Sequence, residues 1–259
     1  MEVTIHRDGI KLNGKLEKPA TEKCPIVIMF HGFTGDMGDT KDSLFTLISN
    51  RLLEKKIAVA RFDFNGHGKS AGNFVDMDVL NEIEDAIAIL NYVRTLEFVS
   101  EVYILGHSQG GVVGGMVAGM YADVIDKLVL LAPAATLKED AKHGTCMDTK
   151  YDTNHIPEVV SIHNGSIDVG GKYFRIAKFL PIYKVTKEFQ GPALVVHGKK
   201  DSVVDLKAAV RYRNCMSNCK LKIFSKLGHG IEGEDQEKAI DAVVEFLTKG
   251  TEESKEKLN

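Results

Sequence analysis

A serine set between glycines, Gly106-His107-Ser108-Gln109-Gly110, follows the apolar run Tyr103-Ile104-Leu105 and leads into Gly111 and a stretch of small residues. A strand that reverses into a helix within a few residues holds its turn residue in a strained conformation, and the flanking glycines avoid backbone clashes. Ser108 is therefore predicted to project from a strand end as a nucleophile, with the positive end of the following helix facing the reaction. The backbone N–H of Gln109 is then placed to hold an oxyanion. A serine hydroxyl is a weak nucleophile at neutral pH, so it needs a base within hydrogen-bonding reach and a carboxylate to orient that base.

The same spacing recurs at Gly68-Lys69-Ser70-Ala71-Gly72 in a different context. Ser70 follows the polar loop Asn65-Gly66-His67, with no strand to deliver it and no helix to receive it, and reads as a structural loop residue. A phosphate-binding loop would need a glycine where Asp63 stands, which excludes nucleotide binding by that motif.

With the nucleophile on such a turn, the partners follow in the order serine, acid, histidine. Val195-Val196-His197-Gly198-Lys199-Lys200-Asp201 puts Asp201 just past a strand end; Asp205 is the second candidate, for which helix N-capping is the plainer role. Leu227-Gly228-His229-Gly230 puts His229 on a glycine loop after the last strand, as the base. His31 and His197 each follow a strand and read as loop hydrogen-bonding residues, and His107 points away from Ser108. The second oxyanion donor is expected from the loop His31-Gly32-Phe33-Thr34-Gly35, as the backbone N–H of Phe33.

These residues need a scaffold, and 259 residues with 44% hydrophobic content can bury the core of one large α/β domain. Asp8-Gly9 joins two alternating runs as a hairpin. Strands are then predicted over residues 26–30, 57–62, 127–131, 193–196 and 221–224, with one more formed by the apolar run Tyr103-Ile104-Leu105 that leads into Ser108. Helical spacing covers residues 43–53, a helix marked by Val79, Ile83, Ile87 and Leu90, and a closing helix over 240–247. This alternation implies a mostly parallel sheet with helices on both faces. Residues about 134–191 interrupt it and carry enough apolar and aromatic residues to form a small inserted cap. Residues 250–259, charged and poor in apolar side chains, read as a frayed tail.

A net charge of -3 without a basic patch argues against nucleic acid as a partner, and the longest apolar runs are strand-sized, too short to span a membrane. The N-terminus alternates like a strand and lacks the pattern of a secretory signal, so a cytoplasmic location is expected. Cys24, Cys146, Cys215 and Cys219 form no pairing framework and no zinc set, and no metal is expected. A homodimer is compatible with these features.

On the motifs His31-Gly32-Phe33-Thr34-Gly35, Asn65-Gly66-His67-Gly68-Lys69-Ser70 and Gly106-His107-Ser108-Gln109-Gly110-Gly111, the chain resembles the α/β-hydrolases over nearly its whole length. Leu131-Ala132-Pro133-Ala134-Ala135, with Ile156-Pro157, Tyr173-Phe174-Arg175-Ile176-Ala177 and Leu180-Pro181-Ile182-Tyr183, is similar to the cap region of the bacterial feruloyl and cinnamoyl esterases. The resemblance implies a small-molecule ester substrate joining a hydroxycinnamic acid to a sugar or small alcohol, as in chlorogenate, and no cofactor. It also implies that Asp140 and Tyr173 read the phenol from the cap. A general short-chain carboxylesterase or monoacylglycerol lipase would share every residue of the triad, and a non-enzymatic ligand receptor could keep the fold. Dehalogenase and epoxide hydrolase chemistry would usually place a carboxylate where Ser108 stands.

Overall fold

Eight strands form one sheet in the order β1-β2-β4-β3-β5-β6-β11-β12 in the computed structural model, which describes residues 1–249. The predicted tail at residues 250–259 lies outside the described residues. β1 (Glu2–Arg7) and β2 (Ile10–Glu17) pair as the expected hairpin, with Asp8 and Gly9 at φ 50° and 82° closing the turn. β2 runs antiparallel to β4 (Ala58–Phe62), and every other pairing, through β3 (Cys24–Phe30), β5 (Val99–His107), β6 (Lys127–Leu131), β11 (Ala193–Gly198) and β12 (Cys219–Phe224), is parallel.

The parallel strands inside the sheet bury both faces, and alternate residues feed two separate cores, while the edge strand β12 buries no residue fully. Ile26, Ile28 and Phe30 of β3 pack on one side and Val27 and Met29 on the other. On the first side lie α2 (Val79–Arg94), α3 (Gln109–Met120) and α7 (Lys207–Cys215), and on the second α1 (Leu44–Glu54) and α8 (Gln236–Thr248). α3 is buried from Gln109 through Gly119, which explains its small, apolar sequence with no polar face. α1 begins one residue after the predicted start because the Ser43 hydroxyl caps it, accepting from the Thr46 N–H.

Between β6 and β11 the chain forms α4 (Leu137–His143), the short pair β7 (Thr145–Cys146) and β8 (Thr149–Lys150), and the hairpin β9 (Val159–Ile162) and β10 (Ile167–Gly170). α5 (Gly171–Ala177) and α6 (Ile182–Thr186) then complete the segment. Tyr173, Phe174 and Ala177 of α5 are buried in the same core as α2 and α3. A second tie is the ion pair of Lys172 with the buried Asp78 at the N-terminus of α2, 2.6 Å long. No described helix is long and apolar enough to cross a membrane.

Candidate active site

Ser108 sits between the end of β5 and the start of α3 with φ 54° and ψ −120°, a conformation that a non-glycine residue adopts only under strain. The glycines around it are required by space: a Cβ on Gly106 would collide with the carbonyl of Gly110, and one on Gly110 with the carbonyl of Phe30. The strand therefore meets the helix closely enough to expose the turn, and the serine is held where they meet.

Ser108 Oγ lies 2.9 Å from His229 Nε2, and His229 Nδ1 lies 2.8 Å from Asp201 Oδ2. The carboxylate accepts a hydrogen bond from Nδ1–H, which leaves Nε2 of the neutral ring as the acceptor for the serine hydroxyl. Asp201 is itself fixed. Its Oδ1 accepts from the backbone N–H groups of Val203 and Val204, both at 2.8 Å. Burial alone would raise the Asp201 pKa, but hydrogen bonds from His197, His229 and the Val204 backbone outweigh it and hold the carboxyl well below the usual range. It stays ionised opposite His229. Asp205 is elsewhere, exposed, with its Oδ1 accepting from the Lys207 N–H at the start of α7.

The other histidines near the site act as struts. His31 Nδ1 donates to the Gly32 carbonyl at 2.9 Å and Nε2 accepts from the Phe64 N–H at 3.0 Å, which stiffens the loop carrying Phe33. Burial, with His67 adding, pushes its pKa down to about 3. His107 Nε2 donates to the carbonyl of His229 at 2.8 Å and braces the loop that carries His229; burial lowers its pKa to about 4. His197 Nε2 lies 3.2 Å from Asp201 Oδ2 as well as 3.0 Å from the Val204 carbonyl. Its contact with the acid goes beyond the loop role read from the sequence. Ser70 is remote from this group and bridges two backbone positions, donating to the Asp63 carbonyl at 2.6 Å and accepting from the Asn13 N–H at 2.8 Å.

Two cavities meet at Ser108. The larger, about 640 Å³, runs under the inserted segment past Gln109 and Tyr173 to Asp140. The smaller, about 380 Å³, opens on the side of His229. Phe33 lines both, and its loop lies hard against Ser108, since a Cβ on Gly32 would be 2.9 Å from the Ser108 Cβ. Burial raises the Asp140 carboxyl above its ordinary pKa, with a hydrogen bond from Thr136 opposing. The Tyr173 hydroxyl is buried and donates to Gln109 Oε1 at 2.7 Å, close to Ser108 instead of free in the cavity.

Gln109 in turn donates from Nε2 to Glu82 Oε2 at 2.8 Å. Glu82 is fully buried and its pKa is pushed up to about 8 by desolvation, with Asp85 and Asp78 adding to the shift. Glu82 belongs to none of the motifs that mark the other site residues in the sequence. The signal was an acidic residue three positions after Val79 on the apolar stripe of α2, where burial costs most. Cys146, beside the larger cavity, is held as a thiol, its pKa raised by burial to about 12. Among the described residues, no group of three or more His, Cys, Asp or Glu is arranged to hold a metal ion.

Residues 21–151 match the family described as serine aminopeptidase, S33. Est1E from Butyrivibrio proteoclasticus, solved with ferulic acid bound, superposes with a TM-score of 0.89 at 34% identity, covering 95% of this chain and 97% of that one. A monoacylglycerol lipase of Mycolicibacterium smegmatis is 22% identical over 258 residues, 90% of each chain. A putative esterase/lipase of Mycoplasma genitalium is 24% identical over 258 residues, 89% of this chain and 91% of its own length.

Proposed function

We propose that this chain, which belongs to the α/β-hydrolases and within them to the serine aminopeptidase S33 family, hydrolyses esters of hydroxycinnamic acids such as ferulic, caffeic or p-coumaric acid. Ser108 Oγ attacks the ester carbonyl carbon while His229 Nε2 takes the hydroxyl proton, and Asp201 stabilises the imidazolium that forms. The backbone N–H groups of Phe33 and Gln109 hold the tetrahedral oxyanion. As that intermediate collapses, the ester C–O bond breaks and His229 gives its proton to the departing alcohol. Water then attacks the acyl-serine, passes a proton to His229, and the hydroxycinnamic acid leaves as Ser108 recovers its hydrogen.

The hydrogen-bonded series Ser108–His229–Asp201, at 2.9 and 2.8 Å, carries the assignment of ester hydrolysis. The acid half rests on the likeness to Est1E, whose structure holds ferulic acid. The larger cavity supports it, since Leu137, Tyr173 and Phe174 supply apolar and aromatic surface and Asp140 supplies a carboxyl for the hydroxyl of an aromatic ring. Relatives described as monoacylglycerol lipases, matched over 91% and 90% of this chain, favour a second reading, hydrolysis of short or glycerol-linked aliphatic esters by the same three residues. Steady-state kcat/KM for ethyl ferulate and p-nitrophenyl butyrate separates the two. The proposal expects ethyl ferulate to be a good substrate whose turnover depends on Asp140; turnover of butyrate alone would leave the lipase-like reading.

A further inference from the structure

The two cavities at Ser108 differ in one respect that matters for the chemistry: His229 and Gly230 line the smaller one, whereas Gln109 and Tyr173 line the larger. The group that leaves from a tetrahedral intermediate must be protonated by the same imidazole that deprotonated the serine, so the leaving oxygen has to lie within reach of His229 Nε2. We infer that the cavity of about 380 Å³ beside His229 receives the alcohol half of the ester, and that it favours neutral alcohols with apolar character over those carrying a carboxylate, the alcohol of chlorogenate among them. This rests on the ester-hydrolase reading above and adds the leaving group to it.

The lining determines the selectivity. Phe33, Leu44, Phe45, Met147 and Val203 supply apolar surface, and Asp36 supplies an acid at the exposed end, its Oδ1 accepting from the Gly38 N–H at 2.8 Å. None of the described residues lining either cavity is a lysine or arginine. Burial holds His31 and His107 neutral, and His163, which lines both cavities, stands exposed at the surface. His229 must be neutral to accept the serine proton and, once protonated, faces Asp201. A carboxylate on the alcohol would give up its hydration with no lysine or arginine to pair with and with Asp36 lining the same cavity, which costs more than burying the same alcohol uncharged. The volume admits a short alkyl chain or one ring.

The test compares alcohols that differ in charge while the acyl group is held constant, in two acyl series. Caffeic acid release from methyl chlorogenate is measured against chlorogenate itself, and butyrate release from butyl butyrate against 4-butyryloxybutanoate. In both series kcat/KM is expected to be about 10-fold or more higher for the neutral ester, the cost of one unpaired carboxylate. Asp36→Asn, which keeps the acceptor for Gly38, should narrow the ratio about 2- to 5-fold by improving the anionic ester alone. Leu44→Trp, which fills the cavity, should slow butyl ferulate about 10-fold relative to methyl ferulate. Equal rates for neutral and anionic esters, or a Leu44→Trp variant that slows methyl and butyl ferulate alike, would overturn the assignment of the alcohol side. If no caffeate or ferulate ester were cleaved but the butyrate pair kept its ratio, the hydroxycinnamate reading would fail and the alcohol site would stand.

Discussion

The hydroxyl of Tyr173 donates to the side-chain oxygen of Gln109 at 2.7 Å, and through that bond α5 of the inserted segment holds the first residue of α3. Gln109 is also the proposed source of one oxyanion N–H, so the segment that covers the acyl cavity is mechanically joined to the group that stabilises the transition state. Tyr173→Phe removes the donor and leaves a buried acceptor unsatisfied. The expected result is a stability loss of about 1–2 kcal/mol and a several-fold fall in kcat. Because the effect passes through Gln109, it should be similar for ethyl ferulate and p-nitrophenyl butyrate. The sequence reading, with Tyr173 touching the phenol, expects the ferulate ester alone to suffer. Steady-state kinetics on the two esters and thermal unfolding decide between them.

Ser108→Ala should lower ester hydrolysis by on the order of 10⁴-fold or more, since nothing else near His229 replaces the nucleophile. Ser70→Ala should retain most activity and instead lose about 1 kcal/mol or more of stability, because its hydroxyl bridges the backbone of Asp63 and Asn13. Comparable activity losses in the two variants would contradict the assignment.

Asp201→Asn removes the charge opposite the imidazolium and allows the wrong tautomer of His229, and a loss of roughly 10³- to 10⁴-fold in kcat is expected. Asp205→Asn changes only an exposed residue bonded to the backbone at the start of α7, so its activity should stay within about 2-fold of the wild type. The opposite ranking would move the acid role to Asp205.

The strands, the hairpin turn at Asp8-Gly9 and the strand-turn-helix around Ser108 were legible because short-range rules fix them: alternation, turn chemistry and glycine spacing. Asp201 and His229 were legible because topology restricts where a loop can reach the nucleophile. Contacts between residues distant in sequence were hidden. Gln109 and Glu82 are 27 positions apart and Gln109 and Tyr173 are 64 apart, so their side-chain bonds follow from the packing of α2, α3 and α5 and leave no local pattern. His197 reads from the sequence as a loop residue and His107 as a residue pointing away from Ser108, but their partners, Asp201 and the His229 carbonyl, depend on how the strand ends stack.

Asp140 lines the acyl cavity and is partly buried, which raises its pKa with a hydrogen bond from Thr136 opposing. A hydroxycinnamate with its ester at Ser108 extends away from the nucleophile along this cavity, and Asp140 is the acidic side chain proposed to meet its phenol. Asp140→Ala should reduce kcat/KM for ferulate or caffeate esters by roughly 10-fold, about one hydrogen bond, and leave p-nitrophenyl butyrate nearly unchanged. Equal losses on both esters would mean that Asp140 only supports the inserted segment.

Glu82 gives the fold a pH dependence whose sign is fixed by its burial. Its folded pKa is pushed up to about 8 from an ordinary 4.5, so between these values the folded state binds a proton that the unfolded state has released. Its contribution is fully present below about pH 4.5 and is lost as the pH rises toward 8, a difference on the order of a few kcal/mol for a fully buried carboxyl. Glu82→Gln keeps an oxygen for the Gln109 amide but has no proton to lose. Thermal unfolding followed from pH 5 to pH 8.5 should show the wild type losing Tm steadily relative to Glu82→Gln, about 1.4 kcal/mol per pH unit at the steepest. Parallel curves for the two proteins across that range would mean that Glu82 is ionised in the folded state, already paired with Gln109 as a carboxylate.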